Sequence, residues 1–74
     1  MENSYKKFLK QVALDLELPK GWAVQSFVVD HDGFEVSVFH SETGAWGYDY
    51  KTTYKAVIKA ILKVVEELQE EYEI

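Results

Sequence analysis

The stretch GWAVQSFVVDHDGFEVSVFHSETGAWGYDYK, residues 21–51, decides the fold. Two clusters of turn-forming residues interrupt it: Asp30-His31-Asp32-Gly33 and Ser41-Glu42-Thr43-Gly44. Around them lie three runs rich in β-branched and aromatic residues, at about 22–30, 34–41 and 45–51. They read as three strands of an antiparallel meander. Glycine stands fourth in both clusters, which suits a three-residue hairpin loop whose last residue needs positive φ. Such loops pair Val28 with Val36, Val24 with His40, Val38 with Tyr48 and Val36 with Tyr50.

Strand side chains alternate between faces, so the register assigns each one. Trp22, Val24, Val28, Phe34, Val36, Val38, Trp46, Tyr48 and Tyr50 are expected on a buried face. Gln25, Glu35, Ser37, Ser41, Asp49 and Lys51 are expected on a wet one, with Glu35 opposite Lys51. Phe27, Val29 and Phe39 would then form an apolar patch on that wet face, with Phe39 lying across Gly47. A two-residue Asp32-Gly33 turn is the competing option. It would flip the first strand and bury Phe27 and Val29 instead.

Outward from the sheet, residues 4–18 read as a helix. Ser4 or Asn3 caps it, and Tyr5, Phe8, Leu9, Val12, Ala13 and Leu16 form one apolar stripe. Pro19 and Gly21 end it, and Leu14 falls on its polar side. Residues 53–72 read as a second helix, capped by Thr52 or Thr53. Its stripe is Tyr54, Val57, Ile58, Ile61, Leu62, Val65, Leu68 and Tyr72. The expected class is α+β, a two-layer α-β-β-β-α domain over residues 1–74 with both helices on one face of the sheet. Short links make the helices roughly parallel, with Lys6, Lys7 and Lys10 sharing a pole with Lys55 and Lys59. The acidic residues, Asp15 and Glu17 among them, would take the other pole.

The chain has 74 residues and no cysteine, so its core comes from apolar packing in place of disulfides. With 47% hydrophobic and 15% aromatic residues, that core is within reach. The start of the chain reads as no signal peptide, and no apolar run is long enough for a membrane span, so the expected setting is the cytoplasm. The net charge is -5, and all eight basic residues are lysines. The acidic excess lies in Glu66, Glu67, Glu70, Glu71 and Glu73. Lacking arginine's planar fork, the chain is poorly equipped for specific phosphate recognition, which weighs against nucleic acid.

No combination of residues reads as catalytic. Asp30-His31-Asp32 lacks the further oxygen ligands of a calcium loop, and His40, Ser41 and Glu42 alternate faces and so cannot meet as a triad. No metal or cofactor is expected. Trp46-Gly47-Tyr48-Asp49-Tyr50 would make a stacking platform if its rings were free, but the preferred register turns them into the core.

Two resemblances add to this reading. The element order is similar to that of the double-stranded-RNA-binding domain, and Lys51, Lys55 and Lys59 look like its phosphate-contacting cluster. That family's glycine–proline–histidine loop is missing here. The segment Tyr50-Lys51-Thr52-Thr53-Tyr54-Lys55-Ala56-Val57-Ile58-Lys59-Ala60-Ile61-Leu62 resembles the last helix of small phage and prophage accessory proteins. That likeness implies a viral protein that binds and blocks a host factor.

The functional expectation is therefore a non-enzymatic protein-interaction module, an inhibitor of another protein. Its contact residues would come from Gln25, Phe27, Val29 and Phe39 and from the acidic end, Glu66, Glu67, Glu70 and Glu71. The first strand has no lysine or proline inside it, so a homodimer through that edge is expected. The alternatives are a nucleotide-like ligand held between subunits by Lys51, Lys55, Lys59, Trp46 and Tyr48, and RNA binding through the lysine-rich pole.

Overall fold

The first helix ends at Leu16, two residues short of the expected end, and the chain passes through left-handed Glu17 (φ 49), Pro19 and Gly21 into the meander. The structure, a computed structural model, describes the backbone of residues 2–74 and the side chains of residues 6–74. Helix α1 (Glu2–Leu16) is followed by β1 (Trp22–Val29), β2 (Phe34–His40), β3 (Trp46–Lys51) and helix α2 (Tyr54–Tyr72). The strands form one antiparallel sheet in the order β1-β2-β3. This is the expected α+β, α-β-β-β-α architecture.

Helix α1 starts two residues earlier than the sequence suggests, so the backbones of Asn3 and Ser4 lie inside its first turn, and their side chains lie outside the described residues. The side chain of Tyr5 lies outside the described residues. Val12 and Leu16 are buried, whereas Leu14 is 70% exposed, as its polar-side position requires. Thr53 caps α2 through a 3.2 Å bond that its Oγ1 accepts from the Ala56 N–H. Val57, Ile61 and Val65 of the α2 stripe join one buried cluster with Val36 and Val38 of β2, Trp22 and Phe27 of β1, Ala45, and Val12 and Leu16 of α1.

The first hairpin differs from the expected one. Asp30 pairs with Gly33 across a two-residue loop, His31-Asp32. The Asp30 carboxylate makes this possible by accepting 2.8 Å bonds from the N–H groups of both Asp32 and Gly33. Neither loop residue needs positive φ. Gly33 is required for space, because a Cβ there would come within 2.4 Å of the Lys51 carbonyl oxygen. Val29 therefore pairs with Phe34, and Phe27 with Val36. A bulge at Gln25 then shifts the register, so that Val24 pairs with Val38 and Trp22 with His40. One strand thus sends both Trp22 and Phe27 into the core, and each of the two alternatives captured half of it. Val28, expected inside, faces out and is 47% exposed.

The second hairpin carries one more loop residue than expected. His40 pairs with Ala45: its N–H donates to the Ala45 carbonyl at 2.7 Å, and the Gly44 N–H donates to the His40 carbonyl at 2.9 Å. Gly44 has φ +76, the left-handed conformation expected of it. Thr43 ties the loop together, its Oγ1 accepting from the Ala45 N–H and lying 3.0 Å from the buried His40 Nδ1. The extra residue moves every β3 side chain to the opposite face. Val38 pairs with Gly47, Phe39 with Trp46, Val36 with Asp49, and Glu35 with Tyr50. Glu35 and Lys51 therefore do not form the expected pair; Lys51 lies across from Phe34.

Small side chains let α2 come close to the sheet. Ala45 is buried, and a Cβ added to Gly47 would meet Val64 Cγ1 at 2.7 Å and Leu68 Cδ1 at 3.1 Å. Gly47 is covered by the helix and not by Phe39. The helices also differ from a simple parallel pair. Tyr54, in the first turn of α2, donates a hydrogen bond to Asp15 in the last turn of α1. Asp15 therefore lies at the start of α2, far in sequence from the glutamate end where it was expected.

Candidate functional site

With Gly47 held against Val64 and Leu68, alternation turns its neighbours Trp46 and Tyr48, and Tyr50 beyond them, away from the helices. Trp46 is 59% exposed and Tyr48 56%, while Tyr50 is also open to solvent. The sequence reading placed these rings in the core; the longer second loop puts them outside. The centroids of Trp46 and Tyr48 are 6.1 Å apart, with ring planes inclined by only 15°. Half-buried Phe39 lies across from Trp46, and the row Ser26–Ser37–Tyr48 crosses the middle of the sheet. The two serine Oγ atoms are 2.6 Å apart. Among the described residues, neither helix covers this outer face; α2 packs against Gly47 and α1 against Phe27, both on the other side.

The Tyr50 end of the aromatic row is acidic. Tyr50 donates a 3.3 Å hydrogen bond to Asp30, and Glu35 stands between Val28 and Tyr50 in the pairing. Desolvation pushes the Tyr50 phenol above its ordinary range, and the charges of Asp30, Asp32 and Glu35 push it the same way. Asp30 is held below the usual carboxylate range by the N–H groups of Asp32 and Gly33, so it stays ionised at neutral pH. The residues that the pairing places on this face are Ala23, Ser26, Val28, Glu35, Ser37, Phe39, Trp46, Tyr48 and Tyr50. None of them is a lysine.

The residues expected to act together are dispersed. Phe27 is 4% exposed and belongs to the core, with Phe8, Phe34 and Tyr54 packed round it at centroid distances of 6.1–6.3 Å. Val29 lies on the helix side, at the rim of an apolar cleft of about 310 Å³ between α1 and the sheet. The expected patch of Phe27, Val29 and Phe39 is therefore split between two faces. Gln25 is the bulged residue of β1. Glu66, Glu67, Glu70 and Glu71 are exposed on α2, across the sheet from Phe39. The ligand set is divided in the same way. Lys55 and Lys59 belong to α2 and Lys51 alternates to the helix side, whereas Trp46 and Tyr48 point outward. His31 Nε2 lies 3.4 Å from Asp32 Oδ2, with both side chains in solvent.

Sequence reasoning placed the aromatic row correctly along β3 but on the wrong face. The available signal was the alternation of Ala45 and Gly47 with Trp46, Tyr48 and Tyr50. A strand whose small residues all share one parity is built for a close helix on that side. Among the described residues, no helix is long and apolar enough to cross a membrane. Comparison with protein-family models, with curated proteins and with solved structures finds no match to this chain.

Proposed function

We propose that the chain is a small, non-enzymatic protein-interaction module that docks on another protein through the outer face of its sheet. The observation that carries this reading is the exposure of Trp46 and Tyr48, side by side, on a face that neither helix covers among the described residues. Contiguous exposed apolar surface of this kind is a mark of interaction sites. Tryptophan and tyrosine are also the residues that most often dominate binding energy at protein interfaces. The rings sit on strands, so they are presented with little conformational entropy left to lose.

The likeness of residues 50–62 to small phage and prophage proteins supports a narrower form, in which docking blocks a host factor. The lack of cysteine supports action in a reducing cytoplasm. Self-pairing through β1 is less favoured than the bare edge suggests, because the Gln25 bulge interrupts the regular ladder that a second strand would extend.

The test is capture from a lysate of the native host with three forms of the chain. These are the unaltered protein, a Trp46→Ala/Tyr48→Ala form and a form with Glu66, Glu67, Glu70 and Glu71 replaced by glutamine. The aromatic substitutions should each cost about 2 kcal/mol of binding or more and abolish capture. The glutamine form should retain it. Equal capture by the Trp46→Ala/Tyr48→Ala form would refute docking through this face.

A further inference from the structure

We infer that the outer face receives an arginine-bearing segment of its protein partner, with guanidinium groups stacked on Trp46 and Tyr48 and drawn by the carboxylates around Tyr50. This rests on the docking face proposed above and adds the chemistry of what it takes.

Charge complementarity carries the argument. A π-face attracts a cation, tryptophan most strongly, and arginine stacks flat on such rings more readily than lysine does. Trp46 and Tyr48 are both exposed, and their rings are nearly parallel, with centroids 6.1 Å apart. Glu35 lies within the same face, and Asp30 and Asp32 flank its end beside Tyr50. No lysine stands on the face to neutralise them, and the chain contains no arginine of its own. The cation must therefore come from outside.

Other occupants fit less well. A second copy would bring another set of carboxylates and no cation to the seam, with each chain at net -5. Single-stranded nucleic acid could stack on the rings, but its phosphates would meet Glu35 and no basic side chain. The size of the face also constrains the partner. Three strands of six to eight residues span roughly 14 Å by 20 Å, well below the ~800 Å² that each side of a standard interface buries. A short protruding segment matches that area better than a broad surface.

The experiment is an NMR titration of the full chain that follows the Trp46 indole N–H. The probes are a Gly-Arg-Gly-Arg-Gly peptide, its lysine counterpart and an oligouridylate. The arginine peptide should move the Trp46 signal and bind about fivefold more tightly than the lysine peptide. Glu35→Gln, read at the same signal, and Trp46→Ala, read at the Tyr48 backbone N–H, should each weaken it, whereas glutamine at Glu66, Glu67, Glu70 and Glu71 should leave it unchanged. Equal affinity for the two peptides, an unmoved Trp46 signal, or tighter binding of the oligouridylate would each overturn the inference. The two readings fail separately. If capture depends on Trp46 and Tyr48 but the arginine peptide does not bind, docking stands and the arginine chemistry falls. If the peptide binds at Trp46 but capture ignores both rings, the docking role falls.

Discussion

Gly47 is where a single methyl group reports the layout of the whole sheet. The Cβ of Gly47→Ala would lie 2.7 Å from Val64 Cγ1 and 3.1 Å from Leu68 Cδ1. Both are side-chain tips, so α2 can yield by a fraction of an ångström. Overpacking of this kind costs about 1–3 kcal/mol. Removing a strand glycine returns about 0.5–1 kcal/mol through the unfolded chain, leaving a net loss of roughly 1 kcal/mol. Gly47→Val widens the margin, since its two further methyl groups must also enter the space under α2. The loss should reach about 3 kcal/mol or more, a large part of the stability of a domain this small. If Gly47 faced water, both substitutions would instead stabilise by up to ~1 kcal/mol, because a β-branched residue suits an exposed strand. Urea unfolding followed by circular dichroism separates the cases by sign. With a slope near 1 kcal/mol per molar urea, Gly47→Val should lower the midpoint by about 3 M or more. A midpoint equal to or above that of the unaltered chain would refute the packing of β3 against α2, and with it the outward aromatic row.

Three further outcomes follow from the same geometry. Phe27→Ala should cost about 3–5 kcal/mol in urea unfolding, while Val28→Ala should cost less than about 1 kcal/mol; similar losses would remove the bulge at Gln25. Glu73 closes α2 in the left-handed conformation at φ 56, and its N–H and that of Ile74 bond back to Glu70 and Gln69. Glu73→Gly should therefore raise stability by about 0.5–1 kcal/mol, and a loss would show that the side chain matters more than the backbone. The Tyr54 phenol is pushed up to about 12 by burial, then by its bond to Asp15 and that carboxylate's charge. Its folded pKa lies above the ordinary value of 10.0, so its contribution is intact below pH 10 and fades as the pH rises toward 12. Tyr54→Phe should flatten that alkaline decline relative to the unaltered chain, and parallel pH profiles of the two would contradict the Tyr54–Asp15 link.

Where side chains act through strong local rules, the sequence is legible. Pro19 lies just beyond the end of α1, Thr53 caps α2, and the apolar stripe of α2 predicts the burial of Val57, Ile61 and Val65. The inner face of β2 is also legible, because Phe34, Val36, Val38 and His40 alternate with Glu35, Ser37 and Phe39, of which only Phe39 is apolar. The two hairpins are not, since the same glycine spacing serves two different purposes. In the first, Asp30 takes up the backbone N–H groups and shortens the loop, and Gly33 is needed to clear the Lys51 carbonyl. In the second, Thr43 and the His40–Ala45 pair lengthen it. Each changes the count by one residue, enough to invert a strand. The Gln25 bulge has no local signature, as it reconciles Trp22 and Phe27 with one core that only the folded sheet defines. The candidate site follows these errors. Its residues were recognised as a possible stacking platform, and only the face was misread.

The most direct measurement uses Trp46 as its own reporter. Trp22→Phe leaves Trp46 as the single tryptophan, and the buried Trp22 indole N–H has no hydrogen-bond partner among the described residues to lose. Fluorescence of that form should show the emission of indole in water and free quenching by acrylamide, both abolished in the same protein carrying Trp46→Ala. Blue-shifted emission shielded from acrylamide in the folded protein would place Trp46 beneath the helices and contradict the exposed aromatic face.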